Sequence, residues 1–199
     1  MYKPLEKLMS PQEITALPKT ASDADLLDHL LKEKIVLVVD WSGEEENSRI
    51  ADFLRHRLQQ FGSKAIVDAE GAYAQLEKKQ PERGDAVPLL LQYFQKGLKK
   101  EGFVICQLDR QNDAYYILLA PDKVAKELKK AKDAYWNVAP FGQKTGEVLY
   151  TINCTCGSMN VWQLRRSEPA PADDYCENCG KMLFDKDGNA LLTVEKDYI

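Results

Sequence analysis

The sequence predicts an α/β chain, with α+β as the neighbouring class: a mixed parallel and antiparallel sheet with flanking helices, followed by a small β module. Three observations carry this. Short aliphatic runs alternate with amphipathic helical patterns up to about residue 145. Two of those runs, 103–108 and 114–119, are separated only by the polar stretch 109–113, the length and chemistry of a hairpin loop, which adds an antiparallel pair. Beyond residue 146 the helical periodicity stops, and four of the five cysteines fall in two close pairs.

The elements follow in order. Ser10-Pro11-Gln12-Glu13 combines a capping serine, a proline at the first helical position and an acid three residues on, which starts a helix of one or two turns. Ser22 opens a firmer helix, with Asp25 at the capping-box position and Leu26, Leu27, Leu30 and Leu31 in one apolar stripe. The aliphatic run 35–39 stops at Asp40, which is the pattern of a strand covered on both faces and places it at the centre of a sheet. Ser42 and Glu45 form a capping box for a long helix whose stripe is Ile50, Phe53, Leu54 and Leu58, ending at Gly62. A short strand at 65–67 ends at Asp68, so strand, helix and strand predict a right-handed parallel crossover. The segment 72–79 is weakly helical. A stronger helix spans 85–100, with Pro88 in its first turn where a missing amide proton does little harm. The two hairpin strands come next, then a helix opened by Pro121 and Asp122. From 133 to 146 Pro140, Gly142 and Gly146 mark a linker, which divides the chain into domains 1–145 and 146–199.

Composition excludes several classes. A chain of 199 residues, 44% hydrophobic and 29% charged, has enough apolar surface to offset its chain entropy and does not read as disordered. The longest apolar run, 114–120, falls far short of the roughly 18 residues that span a membrane. Residues 1–10 alternate charged and apolar side chains, unlike a signal peptide, so a cytoplasmic protein without membrane association is expected. Basic and acidic residues number 27 and 31, a net charge of −4 that gives no electrostatic reason to expect nucleic acid.

The most informative residues are Cys154-Thr155-Cys156-Gly157 and Cys176-Glu177-Asn178-Cys179-Gly180. Two close cysteines on a tight turn supply two thiolates from one edge of a tetrahedron, and a second such turn brought opposite supplies the rest. The glycine after each pair permits the positive φ that turns amide protons toward the sulfurs. Nineteen residues separate the pairs, a spacing that metal sites of this type use. Residues 159–164 between the pairs alternate as a strand, 168–174 form a proline-containing loop, and Met182–Phe184, a turn at 185–189 and 190–194 read as a β-hairpin.

On these four cysteines and two glycines, the segment from about residue 148 to the end resembles a zinc ribbon. Residues 176–180 match the usual knuckle of that family, whereas Cys154 and Cys156 enclose one residue instead of two or more. The resemblance implies a structural zinc ion held by Cys154, Cys156, Cys176 and Cys179, with no open position for substrate. Disulfides are the competing use of such cysteines and belong to secreted chains. Zinc ribbons commonly serve nucleic-acid processing, but from Cys154 onward five Lys or Arg face eight Asp or Glu, the wrong sign for phosphate. A protein partner is therefore expected. Cys106, inside a strand, reads as a buried thiol.

A catalytic alternative rests on Asp40, Asp68 and Asp109, each directly after an expected strand. Ligands of open α/β sheets lie beyond the carboxyl ends of parallel strands, and three carboxylates there could share Mg²⁺ for hydrolysis or phosphoryl transfer, with Glu44, Glu45 and Glu70 nearby. Against it, aspartate is a common turn residue after a strand, and no glycine-rich phosphate loop follows Asp40. His29 and His56 lie on helices among charged residues and share no motif with a nucleophile. Trp41, Trp136 and Trp162 read as core or junction aromatics, with Trp136, Tyr135 and Phe141 placed to anchor the ribbon. The sequence favours a non-enzymatic binding or regulatory module.

Overall fold

In the computed structural model residues 3–17, 22–131, 133–143 and 146–198 are described; residues 144 and 145, within the expected linker, and the terminal residues 1, 2 and 199 lie outside them. The chain has a mixed α+β fold and divides into two compact units, Met1–Gly142 and Gln143–Ile199.

The first unit contains α1 (Lys3–Glu6), α2 (Pro11–Thr15), α3 (Asp23–Lys32), β1 (Leu37–Asp40), α4 (Arg49–Gln60), α5 (Ala69–Lys79), α6 (Ala86–Lys100), β2 (Phe103–Asp109), β3 (Ala114–Pro121), α7 (Asp122–Lys130) and β4 (Asn137–Pro140). Its sheet has the order β1-β3-β2-β4, antiparallel throughout. Successive strand residues point to opposite faces, and both faces are covered. Cys106, Leu108, Leu118 and Ala120 join Leu26, Leu30, Leu128 and Trp136 on one side. Ile105, Ile117 and Leu119 join Leu54, Leu58, Leu91 and Phe94 on the other. Burial on two faces is why the strands read as continuous aliphatic runs.

Both N-terminal capping boxes form. Ser10 with Glu13 opens α2, and Ser22 with Asp25 opens α3. Glu13 also pairs with the buried Arg57 of α4 at 2.6 Å, and the same guanidinium donates to the Leu8 carbonyl. This charged tie holds the N-terminal segment against α4.

Several expectations are corrected. Residues 65–67 form no strand, so there is no parallel crossover. Ile66 is 87% exposed and only Val67 is buried, which leaves this stretch as a connection between α4 and α5. Asp68 caps α5, accepting from the Gly71 amide at 2.9 Å, and so starts that helix three residues earlier than its apolar pattern suggests. β1 lies at an edge of the sheet, not its centre, and is not covered on both faces: Leu37 and Val39 are buried in the core, whereas Val38 is half-buried beside an open cleft and Asp40 is exposed. α4 begins at Arg49 instead of near Ser42. Ser48, in the left-handed region, makes no side-chain cap, and Glu44 accepts from the Ile50 amide in its place. Residues 137–140, expected in the linker, form an edge strand on β2. Pro140 is tolerated there because an edge leaves one side unpaired.

The second unit contains β5 (Glu147–Asn153), β6 (Met159–Arg165), β7 (Asp174–Tyr175), β8 (Met182–Phe184) and β9 (Val194–Tyr198). β6-β5-β9 form one antiparallel sheet, and β7-β8 a separate pair. The expected terminal hairpin is reduced to one bridge between Phe184 and Ala190, because β9 starts later and pairs with β5. Trp162 packs edge-on against Phe184 at 5.0 Å, and its indole N–H donates to Asp174 at 2.8 Å. Around them Ile152, Leu183 and two cysteines complete a small core.

Candidate metal centre

Each cysteine pair sits on a turn between paired strands. The first turn joins β5 to β6: the Cys154 amide donates to the Ser158 carbonyl at 2.8 Å and the Gly157 amide to the Cys154 carbonyl at 2.9 Å. The second joins β7 to β8, with Cys176 N–H to Lys181 O and Gly180 N–H to Cys176 O, both at 2.8 Å. Gly157 and Gly180 have φ of 88° and 69°, the left-handed region that glycine enters without steric cost.

The two turns bring their sulfurs together. Cys154 and Cys179 are 3.6 Å apart, Cys156 and Cys176 3.7 Å, and all four sulfurs lie within 4.8 Å of one another. A disulfide needs about 2.0 Å, and all four thiols are free. Four sulfurs at about 2.3 Å from a tetrahedral ion stand about 3.8 Å apart along each edge. The two cross-pair distances fit that edge. Cys154 and Cys176 are buried, whereas Cys156 and Cys179 are exposed. The single residue between Cys154 and Cys156 does not keep either sulfur out of the cluster.

Hydrogen bonds to sulfur favour thiolates. The Cys179 and Asn178 amides hold the Cys176 thiol down to about 6, and the Ser158 amide and Asn178 side chain lower Cys156. The Lys181 amide donates to Cys179 and lowers it, yet the adjacent Cys156 and Cys154 thiols outweigh this and push it up to about 12. Four thiolates this close repel one another unless a cation sits among them.

Three side chains invisible to the cysteine spacing brace this arrangement. Asn160 donates to Cys176 Sγ at 3.7 Å, Asn178 to Cys156 Sγ at 3.6 Å, and Lys181 to the Thr155 hydroxyl at 3.2 Å. The signal for Asn160 was available. Alternation along 159–164 puts it on the same face as Trp162, where a polar residue needs a partner.

The strand-end aspartates are not brought together. Among the described residues the four cysteines are the sole cluster of three or more His, Cys, Asp or Glu ligands close enough to share an ion. Asp40 accepts from the Ser42 amide at 2.9 Å and from its hydroxyl, which lowers its carboxyl. Asp68 accepts from Tyr93 and from Gly71 at the start of α5, and these bonds lower it too. Asp109 holds the Gln111 amide at 2.8 Å and the Asn137 side chain at 3.2 Å. Strand register separates Asp40 from Asp109. Asp40 lies opposite Ala114, whereas Leu108 lies opposite Tyr116, so the pleat points the two carboxylates to opposite faces. Glu44 is taken up by the Ile50 amide and the Tyr73 hydroxyl, and Glu45 pairs with Arg49 at 3.1 Å.

The remaining candidates resolve individually. Cys106 is buried, and burial pushes its thiol up to about 12. His29 Nε2 is buried with no hydrogen-bond partner among the described residues, while His56 lines an open cleft of about 610 Å³ beside β1 and α4. Trp136 is 1% exposed and belongs to the core of the first unit, with its indole N–H on Asp23 at 2.9 Å. Phe141 packs in the same unit on the opposite face of the sheet.

Fold and site together define a mixed α+β protein carrying a four-cysteine cluster able to hold a metal ion. Residues 6–136 match the model of a domain of unknown function, DUF6630, and the chain belongs to that family. The cysteines lie beyond the matched segment. No curated protein and no solved structure matches the chain. No described helix is long and apolar enough to cross a membrane.

Proposed function

We propose that Cys154, Cys156, Cys176 and Cys179 hold one structural zinc ion in a zinc ribbon, and that the protein is a non-enzymatic binding or regulatory module of the cytoplasm. The observation that carries the metal reading is the pair of sulfur separations, 3.6 and 3.7 Å, across two knuckles nineteen residues apart. Thiolate ligands select zinc or iron over hard cations. Zinc fits the resemblance to zinc ribbons. Four protein ligands close the coordination sphere, so the ion would shape the module instead of activating water. Among the described residues the apolar cluster around it is small, Ile152, Leu183 and Phe184 with two of the cysteines, and metal binding would supply much of its folding free energy.

A protein partner is favoured over nucleic acid. The last 46 residues carry a net charge of −3, and a zinc tetrathiolate adds two further negative units. Large apolar side chains are also exposed on this unit: Met159 at 67%, Leu191 at 51%, Val161 at 49% and Tyr175 at 43%. Met159 and Val161 share one face of β6, which suits a protein contact better than a phosphate backbone.

Cobalt titration of the full chain tests the metal reading. Tetrahedral tetrathiolate cobalt has characteristic visible bands, which should saturate at one equivalent, disappear on addition of zinc, and fail to form fully in Cys176→Ser or Cys179→Ser. Absence of those bands in the unaltered chain would overturn it. On the partner side, the zinc-loaded chain should not be retained on DNA or RNA at low salt, and salt-sensitive retention would favour nucleic acid instead.

A further inference from the structure

Asn160 is a polar side chain, 8% exposed, within the core of cysteines and aromatic residues in the second unit. It lies on β6 opposite Ile152. Its Nδ2 donates to the Ser158 carbonyl at 3.2 Å and to Cys176 Sγ at 3.7 Å. Ser158 belongs to the first knuckle, where its carbonyl also receives the Cys154 amide. Cys176 opens the second knuckle. A carboxamide nitrogen carries two protons, one for each acceptor, so one buried group spans two knuckles far apart in the chain.

Resting on the reading of the four cysteines as a metal site, we propose that Asn160 is a positioning residue of that site: its amide fixes the Cys176 sulfur against the first knuckle and sets the donor strength of that thiolate. The chemistry is that of an outer group orienting a metal ligand. A buried amide is costly without partners, and here the fold supplies both. A thiolate accepts more strongly than a thiol, so the bond is strongest when Cys176 is in its metal-binding form. Asn178 offers an internal comparison. It donates across the knuckles in the opposite direction, to Cys156 at 3.6 Å, but it is exposed, so water can replace its bond.

The experiment uses the full chain with cobalt in place of zinc and the variants Asn160→Leu, Asn160→Asp and Asn178→Ala. Leucine keeps the branching at Cγ and removes both donors; aspartate keeps the shape but replaces the donors with a negative acceptor. Asn160→Ser, whose hydroxyl sits one bond short of the amide nitrogen and so loses the 3.7 Å contact to Cys176, serves if the leucine variant does not fold. Cobalt affinity by chelator competition should fall about 10- to 100-fold in the leucine and aspartate variants. The sulfur-to-cobalt charge-transfer band should move to lower energy in the leucine variant, or in the serine variant in its place, because a thiolate relieved of a hydrogen bond gives up electron density more readily. Asn178→Ala should change both readouts less. Unchanged affinity overturns the proposal, and so does weaker affinity with an unmoved band, which is what a purely packing role produces. An unaltered chain that forms no thiolate–cobalt bands removes the metal site and this proposal together, whereas normal bands with indifferent Asn160 variants remove this proposal alone.

Discussion

Removing Glu13 should destabilise the first unit more than removing the arginine it pairs with. Arg57 is 1% exposed, and its charge is met by Glu13 at 2.6 Å, the Leu8 carbonyl and the face of Phe61, 5.6 Å from the ring centroid. Glu13→Ala leaves that guanidinium buried without a counter-charge. Breaking a buried pair in this way costs roughly 3–5 kcal/mol, and the surviving Leu8 bond places the cost near the lower end, about 3 kcal/mol. Arg57→Met strands only a carboxylate that still accepts the Ser10 amide and whose side chain remains 12% exposed, so about 1–2 kcal/mol is expected. The double variant should resemble Arg57→Met, giving a coupling energy of about 3 kcal/mol. Urea unfolding followed by the helical circular dichroism signal measures this, since α1 to α7 all lie in the first unit. The pH dependence has a definite sign. Burial raises the Glu13 carboxyl, but the bonds from Arg57 and Ser10 and the arginine charge outweigh it and hold it below its ordinary 4.5. The unfolded chain therefore takes up the proton first. This contribution is complete above about pH 4.5 and is lost as pH falls through the lower folded value. A cost below about 1 kcal/mol for Glu13→Ala, or strictly additive single variants, would refute the reasoning.

Two further outcomes are expected. Gly71→Ala lies within α5, where alanine ordinarily gains about 1 kcal/mol over glycine; here its Cβ would stand 2.2 Å from Asp68 Oδ2 and 2.3 Å from the Tyr93 hydroxyl, so displacement of that hydrogen bond should make the variant less stable by about 1 kcal/mol. A higher urea midpoint than the unaltered chain would contradict this. Counting thiols with a disulfide reagent in the presence of a chelator should titrate four cysteines in the native chain and release the fifth, Cys106, only in denaturant, because it is buried with its thiol pushed up to about 12. Rapid reaction of all five without denaturant would contradict its burial.

The fold class, the apolar faces of the long helices and the capping boxes at Ser10 and Ser22 were legible in local pattern, because each is fixed by residues within a few positions of one another. What failed depended on partners far along the chain. A short aliphatic run looks the same at the edge of a sheet as at its centre, so β1 could not be placed, and only its Leu37 and Val39 face packs into the core. At 65–67 three apolar residues were too few to show whether they pair or merely cross the surface. Glu44 took the capping role expected of Ser42 because the chain stays irregular as far as Ser48, a path that no pairwise motif reports. β4 was hidden by Pro140, and only its pairing to β2 reveals it as an edge strand. The cysteine cluster was the opposite case. Its spacing and glycines are local signals, and alternation along β6 marks Asn160 as an inward polar residue, whereas the reach of Asn160 and Asn178 across the knuckles to sulfur became evident only with the knuckles assembled.

The central claim is one zinc ion bound by four thiolates of this chain. Native mass spectrometry of the purified full chain, with elemental analysis on the same sample, measures it directly. The expected result is a mass increased by one zinc per chain, lost together with the β structure of the second unit on chelation and absent from Cys176→Ser. A metal-free protein whose second unit keeps its structure and stability with all four thiols reduced would contradict it.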